Sequence, residues 1–281
     1  MEIIQRILQM KEVSRKARSD GKVIGFVPTM GFLHDGHLSL VREARKMADV
    51  VVVSIFVNPT QFGPKEDLDK YPRDVTRDAE TLSAESVDYV FLPKVEEIYP
   101  EKFRTYVKVR ELSECLEGLT RPTHFEGVTT VVMKLFHIVD PHFGFFGQKD
   151  AQQLVIVRRM IQDMNMDVEI IRLPIVREPD GVAMSSRNVY LSPEERKAAP
   201  VLHRALQHAQ QRINEGERKT KSILKEMREI IESEPLARID YLAAVDMIDL
   251  KELKTLKGKC LVALAAYFGS TRLIDNIIIE V

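Results

Sequence analysis

The chain has 281 residues, of which 44% are hydrophobic and 30% charged, with a formal net charge of -1. That length predicts one larger unit plus a smaller one, each with enough chain for a buried core, and the composition excludes a disordered polymer. Lys and Arg are interspersed with Asp and Glu, which excludes the basic stripe that nucleic acid or an anionic membrane would need, so any bound anion must be held locally.

The segment from Met1 to Arg18 interleaves Glu2, Gln5, Arg6, Lys11 and Glu12 with apolar residues, unlike a signal peptide. No apolar run approaches membrane-spanning length. Cys115 and Cys260 are far apart and form no C-x-x-C pair, so neither a disulfide framework nor a cysteine zinc site is expected, and the reduced cytoplasm is the predicted compartment.

Val23 to Val27 reads as a strand closed by Pro28, and Leu38, Val41, Ala44 and Ala48 recur at helical spacing between Asp35 and Ala48. Val50 to Val57 is almost entirely β-branched, as in a strand buried on both faces of a parallel sheet, and Tyr89 to Leu92 and Phe143 to Phe146 are shorter strands. Val128, Val131, Val132, Leu135, Phe136 and Val139 form one apolar helical stripe. This alternation predicts a Rossmann-like, doubly wound α/β parallel sheet over residues 1–176. Past Ile175 come a turn at Pro179-Asp180-Gly181, a long charged helix opening at Ser192-Pro193-Glu194-Glu195, and a further helix from about Thr220. Strand-like runs at Ile239 to Val245, Cys260 to Phe268 and Ile274 to Val281 complete a smaller C-terminal α+β domain, 177–281.

The chemistry is concentrated where strands end. Pro28-Thr29-Met30-Gly31-Phe32-Leu33-His34-Asp35-Gly36-His37 falls at a strand-to-helix junction, where ligands of open α/β sheets bind and a helix start presents amides and a positive dipole end to phosphate. Gly31 and Gly36 permit close backbone approach, and the two imidazoles can donate to phosphoryl oxygens. Zinc is the other chemistry open to histidines at this spacing, but no third ligand lies at a familiar distance along the chain. Met184-Ser185-Ser186-Arg187 supplies hydroxyls and a guanidinium suited to a triphosphate. Gly147-Gln148-Lys149-Asp150, again entering a helix, offers a close backbone, a cation for phosphates and a carboxylate for ribose hydroxyls; a plain helix cap with a solvated lysine is the alternative. Asn58-Pro59-Thr60-Gln61 leaves the most apolar strand, and Gln61 with Gln153 could hold a carboxylate or hydroxyl through neutral amides; an Asn-Pro turn is the plainer reading. Arg121 and His124 precede the striped helix, where they could meet an anion or merely serve the helix start.

His34-Asp35-Gly36-His37 resembles the HIGH motif of nucleotidyltransferases, and Met184 to Arg187 resembles the KMSKS-type loop of the same superfamily. Taken with the blocks around Asn58, His124 and Lys149, in this order, the chain is similar to the pantothenate synthetase family along nearly its whole length. That resemblance implies an AMP-forming ligase that joins pantoate to β-alanine through a pantoyl adenylate, with ATP as substrate, Mg²⁺ on the triphosphate, and a homodimeric assembly. It also implies that Met30 to His37, Gly147, Gln148, Lys149, Asp150, Val176 and Met184 to Arg187 meet ATP. His37, His34, Lys149 and Arg187 would then be the catalytic set, with His37 a proton donor or only a hydrogen-bond donor. Gln61 and Gln153 would hold pantoate, Gln61 would also serve β-alanine, and Asn58, Arg121 and His124 would be further substrate contacts. The alternatives are another HIGH-type adenylyltransferase, which would lack the Gln61 and Gln153 blocks, and a non-catalytic nucleotide- or RNA-binding module on the same fold.

Overall fold

The computed structural model describes residues 1–64 and 66–281 and resolves them into compact units, Met1–Gly147 with Ile156–Leu173, and Gln148–Val155 with Pro174–Val281. The division therefore falls after Leu173, and Gln148–Val155 groups with the C-terminal unit.

In chain order the first unit holds β1 (Glu2–Ile4), α1 (Ile7–Ser19), β2 (Ile24–Thr29), α2 (Asp35–Met47), β3 (Val50–Ile55), α3 (Val75–Ala84), β4 (Tyr89–Phe91), α4 (Val95–Ile98), α5 (Glu117–Thr120), α6 (His124–Val139) and β5 (Phe143–Gly147). After α7 (Ala151–Asp163), β6 (Glu169–Leu173) completes a six-stranded, all-parallel sheet in the order β1-β4-β3-β2-β5-β6. The expected doubly wound α/β sheet is what forms.

Alternate side chains of each strand go to opposite faces, and both faces are covered. Val27, Val51, Val53 and Phe145 pack with Leu38, Val41 and Ala44 of α2 and Leu82 of α3. On the opposite face Phe26 meets Phe136 of α6 edge-on at 6.1 Å, and Phe136 meets Phe146 at 6.3 Å. That is why α6 carries the continuous apolar stripe read from its sequence.

Two edge strands, β1 and β6, carry no clear sequence signal. They are short, and their burial patterns mix exposed and buried positions, as suits the margins of a sheet. The expected strand 50–57 stops at Ile55, because Asn58-Pro59 opens a 3-10 turn at Pro59–Gln61. β2 pairs with β3 over its whole length but with β5 only at Gly25↔Phe143 and Phe26↔Gly144. Strand order also reverses between β2 and β5, which makes the carboxyl ends of those strands the switch point at which ligands of such sheets bind.

The second unit contains α8 (Pro193–Ala198), α9 (Val201–Asn214), α10 (Thr220–Glu232), β7 (Ala237–Asp246), β8 (Lys259–Phe268) and β9 (Thr271–Glu280), with the strands antiparallel in the order β7-β8-β9. The long helix expected from Ser192 is thus two helices. Pro200 has no N–H to continue the first and stands as the N-cap of the second. At the start of α8 the expected cap is present: Ser192 Oγ accepts from the Glu195 N–H at 3.2 Å, and Glu195 Oε2 accepts from the Ser192 N–H at 2.8 Å. Val201, Leu202, Ala205, Leu206, Ala209 and Ile213 of α9 and Ile223, Met227 and Ile231 of α10 bury one stripe each against a sheet whose middle strand, β8, is buried from Cys260 to Ala266.

Phe136 is fully buried between α6 and the sheet. Phe136→Ala should lower unfolding free energy by about 3–5 kcal/mol, measured by urea denaturation; a loss below about 1 kcal/mol would contradict that packing.

Candidate active site

The chain leaves β2 through Met30 to His34, and each polar group of that loop has a specific partner. Thr29 Oγ1 donates to the Ser54 carbonyl at 2.7 Å and accepts from the Gly31 N–H at 3.1 Å. Gly31 and Phe32 then take positive φ values of 82° and 51°. A Cβ on Gly31 would stand 2.9 Å from both Asp78 Oδ2 and Ile55 Cγ2, so conformation and space both require glycine. The resulting kink turns two successive amides toward α3, where Asp78, only 1% exposed, accepts from Phe32 N–H at 2.7 Å and Leu33 N–H at 2.8 Å. Burial pushes the Asp78 carboxyl above the usual range, opposed by those two amides and by the Arg77 charge.

The paired histidines then start α2. His34 is its N-cap, with Nδ1 accepting from the Gly36 N–H at 3.1 Å, and His37 Nδ1 accepts from the His34 N–H at 3.4 Å. A ring nitrogen that accepts from a backbone N–H carries no proton, so each neutral imidazole is protonated at Nε2. The rings lie with centroids 4.1 Å apart. This changes the expected chemistry of the helix start. The amides of His34 and Gly36 are used by the cap, and the proton that each neutral ring can donate sits on Nε2.

Beside this loop, Asn58 is 1% and Gln61 8% exposed. Asn58 Nδ2 donates to the Gly127 carbonyl at 3.1 Å and to Gln61 Oε1 at 3.0 Å, and Gln61 Nε2 donates to Met30 Sδ at 3.1 Å. Met30, Asn58 and Gln61 are therefore brought together. α6 lies against the turn so closely that a Cβ on Gly127 would fall 2.4 Å from the Thr60 carbonyl oxygen. Arg121 and His124 face the same turn, but toward protein groups. Arg121 Nε bonds Glu66 Oε1 at 2.9 Å and a second guanidinium nitrogen bonds Oε2. His124 Nδ1 lies 2.9 Å from the Gln61 carbonyl, to which it must donate, and its Nε2 faces Arg121 at 3.2 Å. Next to Met30, Gly31 and Phe32, a cavity of about 380 Å³ reaches the ends of β3 and β4 and is also bordered by Ile55, Asp78 and Lys94.

Gly147 ends β5 in the first unit; the next residues belong to the second. Gln148–Asp150 form a 3-10 turn held by Asn276 of β9, whose Nδ2 donates to the Gln148 and Lys149 carbonyls at 3.1 and 3.0 Å. Lys149 Nζ stands 3.9 Å from Asp150 Oδ2. Gln153 is half-buried on the first turn of α7. Val176 accepts from the Met184 N–H at 3.0 Å, closing a hairpin around the predicted turn at Gly181. Arg177 ties that hairpin to Asp275 of β9 at 2.6 and 3.0 Å. Ser185 Oγ accepts from the Arg187 N–H at 3.2 Å, so Met184 to Arg187 leaves the hairpin directly into a 3-10 turn at Ser186–Tyr190. Asp78 and Asn276 carry no motif. Their partners lie 45 or more residues away, so no spacing rule finds them.

Fold and loop together define a parallel α/β protein with a histidine-capped helix start at the switch point of its sheet. Comparison with known proteins makes this specific. The family profile described as Pantoate-beta-alanine ligase matches residues 2–278. Pantothenate synthetases of Fervidobacterium nodosum and Caldicellulosiruptor bescii are 57% and 53% identical, each over 280 residues, spanning all of this chain and 100% and 99% of theirs. The crystal structure of the Thermus thermophilus pantothenate synthetase superposes with a TM-score of 0.94 at 45% identity, covering 99% of both chains. That of the Francisella tularensis pantoate-beta-alanine ligase, complexed with beta-gamma ATP and beta-alanine, gives 0.80 at 33% identity, over 99% of this chain and 97% of that one. The chain belongs to the pantoate–β-alanine ligase family.

Removing the Asp78 carboxylate strands two amides, one of them fully buried. Asp78→Ala should therefore cost about 2 kcal/mol or more, read from urea unfolding. A change within about 0.5 kcal/mol, the size of a surface substitution, would show that the loop is held by other means.

Proposed function

We propose that this protein condenses pantoate with β-alanine, using ATP and releasing AMP and pyrophosphate. A pantoate carboxylate oxygen attacks the α-phosphorus, and the bond to the bridging oxygen breaks as pyrophosphate leaves. The β-alanine amine then attacks the acyl carbon of pantoyl adenylate, the bond to AMP breaks, and the amine gives up a proton. No protein nucleophile takes part, so the work of the chain is positioning and charge stabilisation.

The observation that carries the reading is the reciprocal cap of His34 and His37 at the start of α2, in which both Nδ1 atoms accept backbone N–H groups and the proton of each neutral ring lies on Nε2. In this reading the two Nε2–H groups donate to phosphoryl oxygens as charge moves onto pyrophosphate. Lys149, Arg187 and the Ser185 and Ser186 hydroxyls supply further donors to the triphosphate, and Met30 to His37, Gly147, Gln148, Asp150, Val176 and Met184 complete the nucleotide contacts. Gln61 and Gln153 hold pantoate through neutral amides, and Gln61 also serves β-alanine. Asn58, Arg121 and His124 support that end of the site. For Arg121 and His124 the support is indirect, through their bonds to Glu66 and to the Gln61 carbonyl. Among the described residues no group of three or more His, Cys, Asp or Glu could cage an ion. Mg²⁺ is assigned to the triphosphate on the family resemblance.

The assembly is proposed to be a homodimer, on the family resemblance. The cytoplasmic assignment draws on both cysteines being free thiols. Among the described residues no helix is long and apolar enough to cross a membrane.

A matrix of ATP with and without pantoate and β-alanine tests the reaction. Pyrophosphate release should require pantoate, and pantothenate formation should require all three. His37→Ala and Lys149→Ala should each lower turnover by about 10² or more; Lys149→Ala should leave the thermal midpoint unchanged, whereas His37→Ala also removes the acceptor of the His34 N–H and should lower it modestly. Pantoate-independent pyrophosphate release, or unaltered turnover in both variants, would overturn the assignment.

A further inference from the structure

Gln61 can serve a carboxylate only if its NH₂ end, not its carbonyl, faces the substrate. Amide ends are nearly equal in shape, so something must fix the choice. The Gly127 carbonyl has no proton, and therefore the Asn58 atom 3.1 Å from it must be Nδ2. The second Nδ2 proton then points at Gln61, 3.0 Å away, and that atom must be Oε1. Gln61 is left with its NH₂ toward Met30, whose thioether is a weak acceptor and leaves donor capacity for a stronger one.

The far end of Asn58 completes the chain. Its Oδ1 accepts from the Tyr99 hydroxyl at 2.8 Å and from the Thr60 hydroxyl at 3.0 Å, and the two hydroxyls are 3.1 Å apart. Burial pushes the Tyr99 phenol up to about 12, so it remains a proton donor throughout the physiological range. Its ring is fixed edge-on to Phe103, with centroids 5.0 Å apart, and lies 6.2 Å from Phe56, while Lys134 Nζ stands 4.6 Å from the Phe103 ring.

We propose that Tyr99 is a positioning residue for the acid substrate, acting through Asn58 to hold the Gln61 amide with its NH₂ toward the site. Tyr99 itself need not touch substrate. With the hydroxyl absent, Asn58 Oδ1 keeps only Thr60, and both amides, still set in polarity by the Gly127 carbonyl, are held less firmly in place. The proposal rests on the assignment of pantoate to Gln61.

Tyr99→Phe keeps the ring and its aromatic neighbours and removes only the hydroxyl. Initial rates should show the KM for pantoate rising about tenfold, the loss of roughly one hydrogen bond, with the KM for ATP changed by less than about twofold. In a Gln61→Ala background the same substitution should add nothing to the pantoate KM, because the amide it orients is gone. An unchanged pantoate KM in Tyr99→Phe, or a full additional effect in the double variant, overturns the relay. If Gln61→Ala alone leaves the pantoate KM unaltered, the assignment of Gln61 fails instead, and the two failures are thereby distinguished. Should Tyr99→Phe not fold, Thr60→Val removes the other hydroxyl on Asn58 Oδ1. It should raise the pantoate KM in the same direction, and no rise in a folded Thr60→Val protein would overturn the proposal.

Discussion

When β2 leaves the sheet at Thr29, its backbone amides lose their ladder partners while still surrounded by protein, and a buried N–H without an acceptor is costly. The loop from Gly31 to Gly36 is built around that requirement. Thr29 Oγ1 serves Gly31, Asp78 serves Phe32 and Leu33, His37 serves His34, and His34 serves Gly36. Because the last two acceptors are imidazole Nδ1 atoms, satisfying the backbone also sets the tautomer of both rings. Under the proposed function, structural and chemical roles are the same bonds here. A residue that caps the helix equally well through an oxygen, such as serine, would keep the fold and remove the imidazole N–H.

Much of this was legible along the chain. The apolar runs at 50–57 and 143–146 and the stripe from Val128 to Val139 read as strands and a helix whose alternation leads to a doubly wound sheet, and the structure has β3, β5 and α6 there, because the period of apolar residues is a local property. The motif positions were legible too, since a strand-to-helix junction with glycine and histidine is a contiguous pattern. Edge strands β1 and β6 were not, because a short strand that is half exposed need not be apolar. The break at Pro200 was readable in principle: the charged pattern runs on at helical period across it, but proline cannot.

The residues that hold the motifs in shape were out of reach for a different reason. Asp78 binds a loop 45 residues earlier, Tyr99 an asparagine 41 residues earlier, and Asn276 a turn 128 residues earlier. None sits in a pattern of its own, and each is an ordinary residue type on a helix, a loop or a strand. Contact at that separation is a property of topology, so it becomes visible only when strand order is known. Arg121 and His124 illustrate the converse. Their sequence position before a helix suggests an anion site, whereas their bonds run to Glu66 and to the Gln61 carbonyl, bracing the turn that carries Gln61.

In the proposed reaction a neutral amide, that of Gln61, grips a nucleophilic carboxylate, and this is a demanding choice. Arginine would bind more strongly and in a fixed polarity, but an ion pair lowers the reactivity of the oxygen that must attack phosphorus. Glutamine leaves that oxygen more nucleophilic and in exchange brings an ambiguity arginine does not have, since a half-turn about its last bond would aim a carbonyl at the carboxylate. The ambiguity is removed stepwise, by a backbone carbonyl that can only accept, an asparagine with no remaining choice, and hydroxyls on its other end. The need for that chain of partners explains why α6 approaches the Pro59–Gln61 turn closely enough to require glycine at 127: the carbonyl that starts the sequence of assignments is Gly127's own.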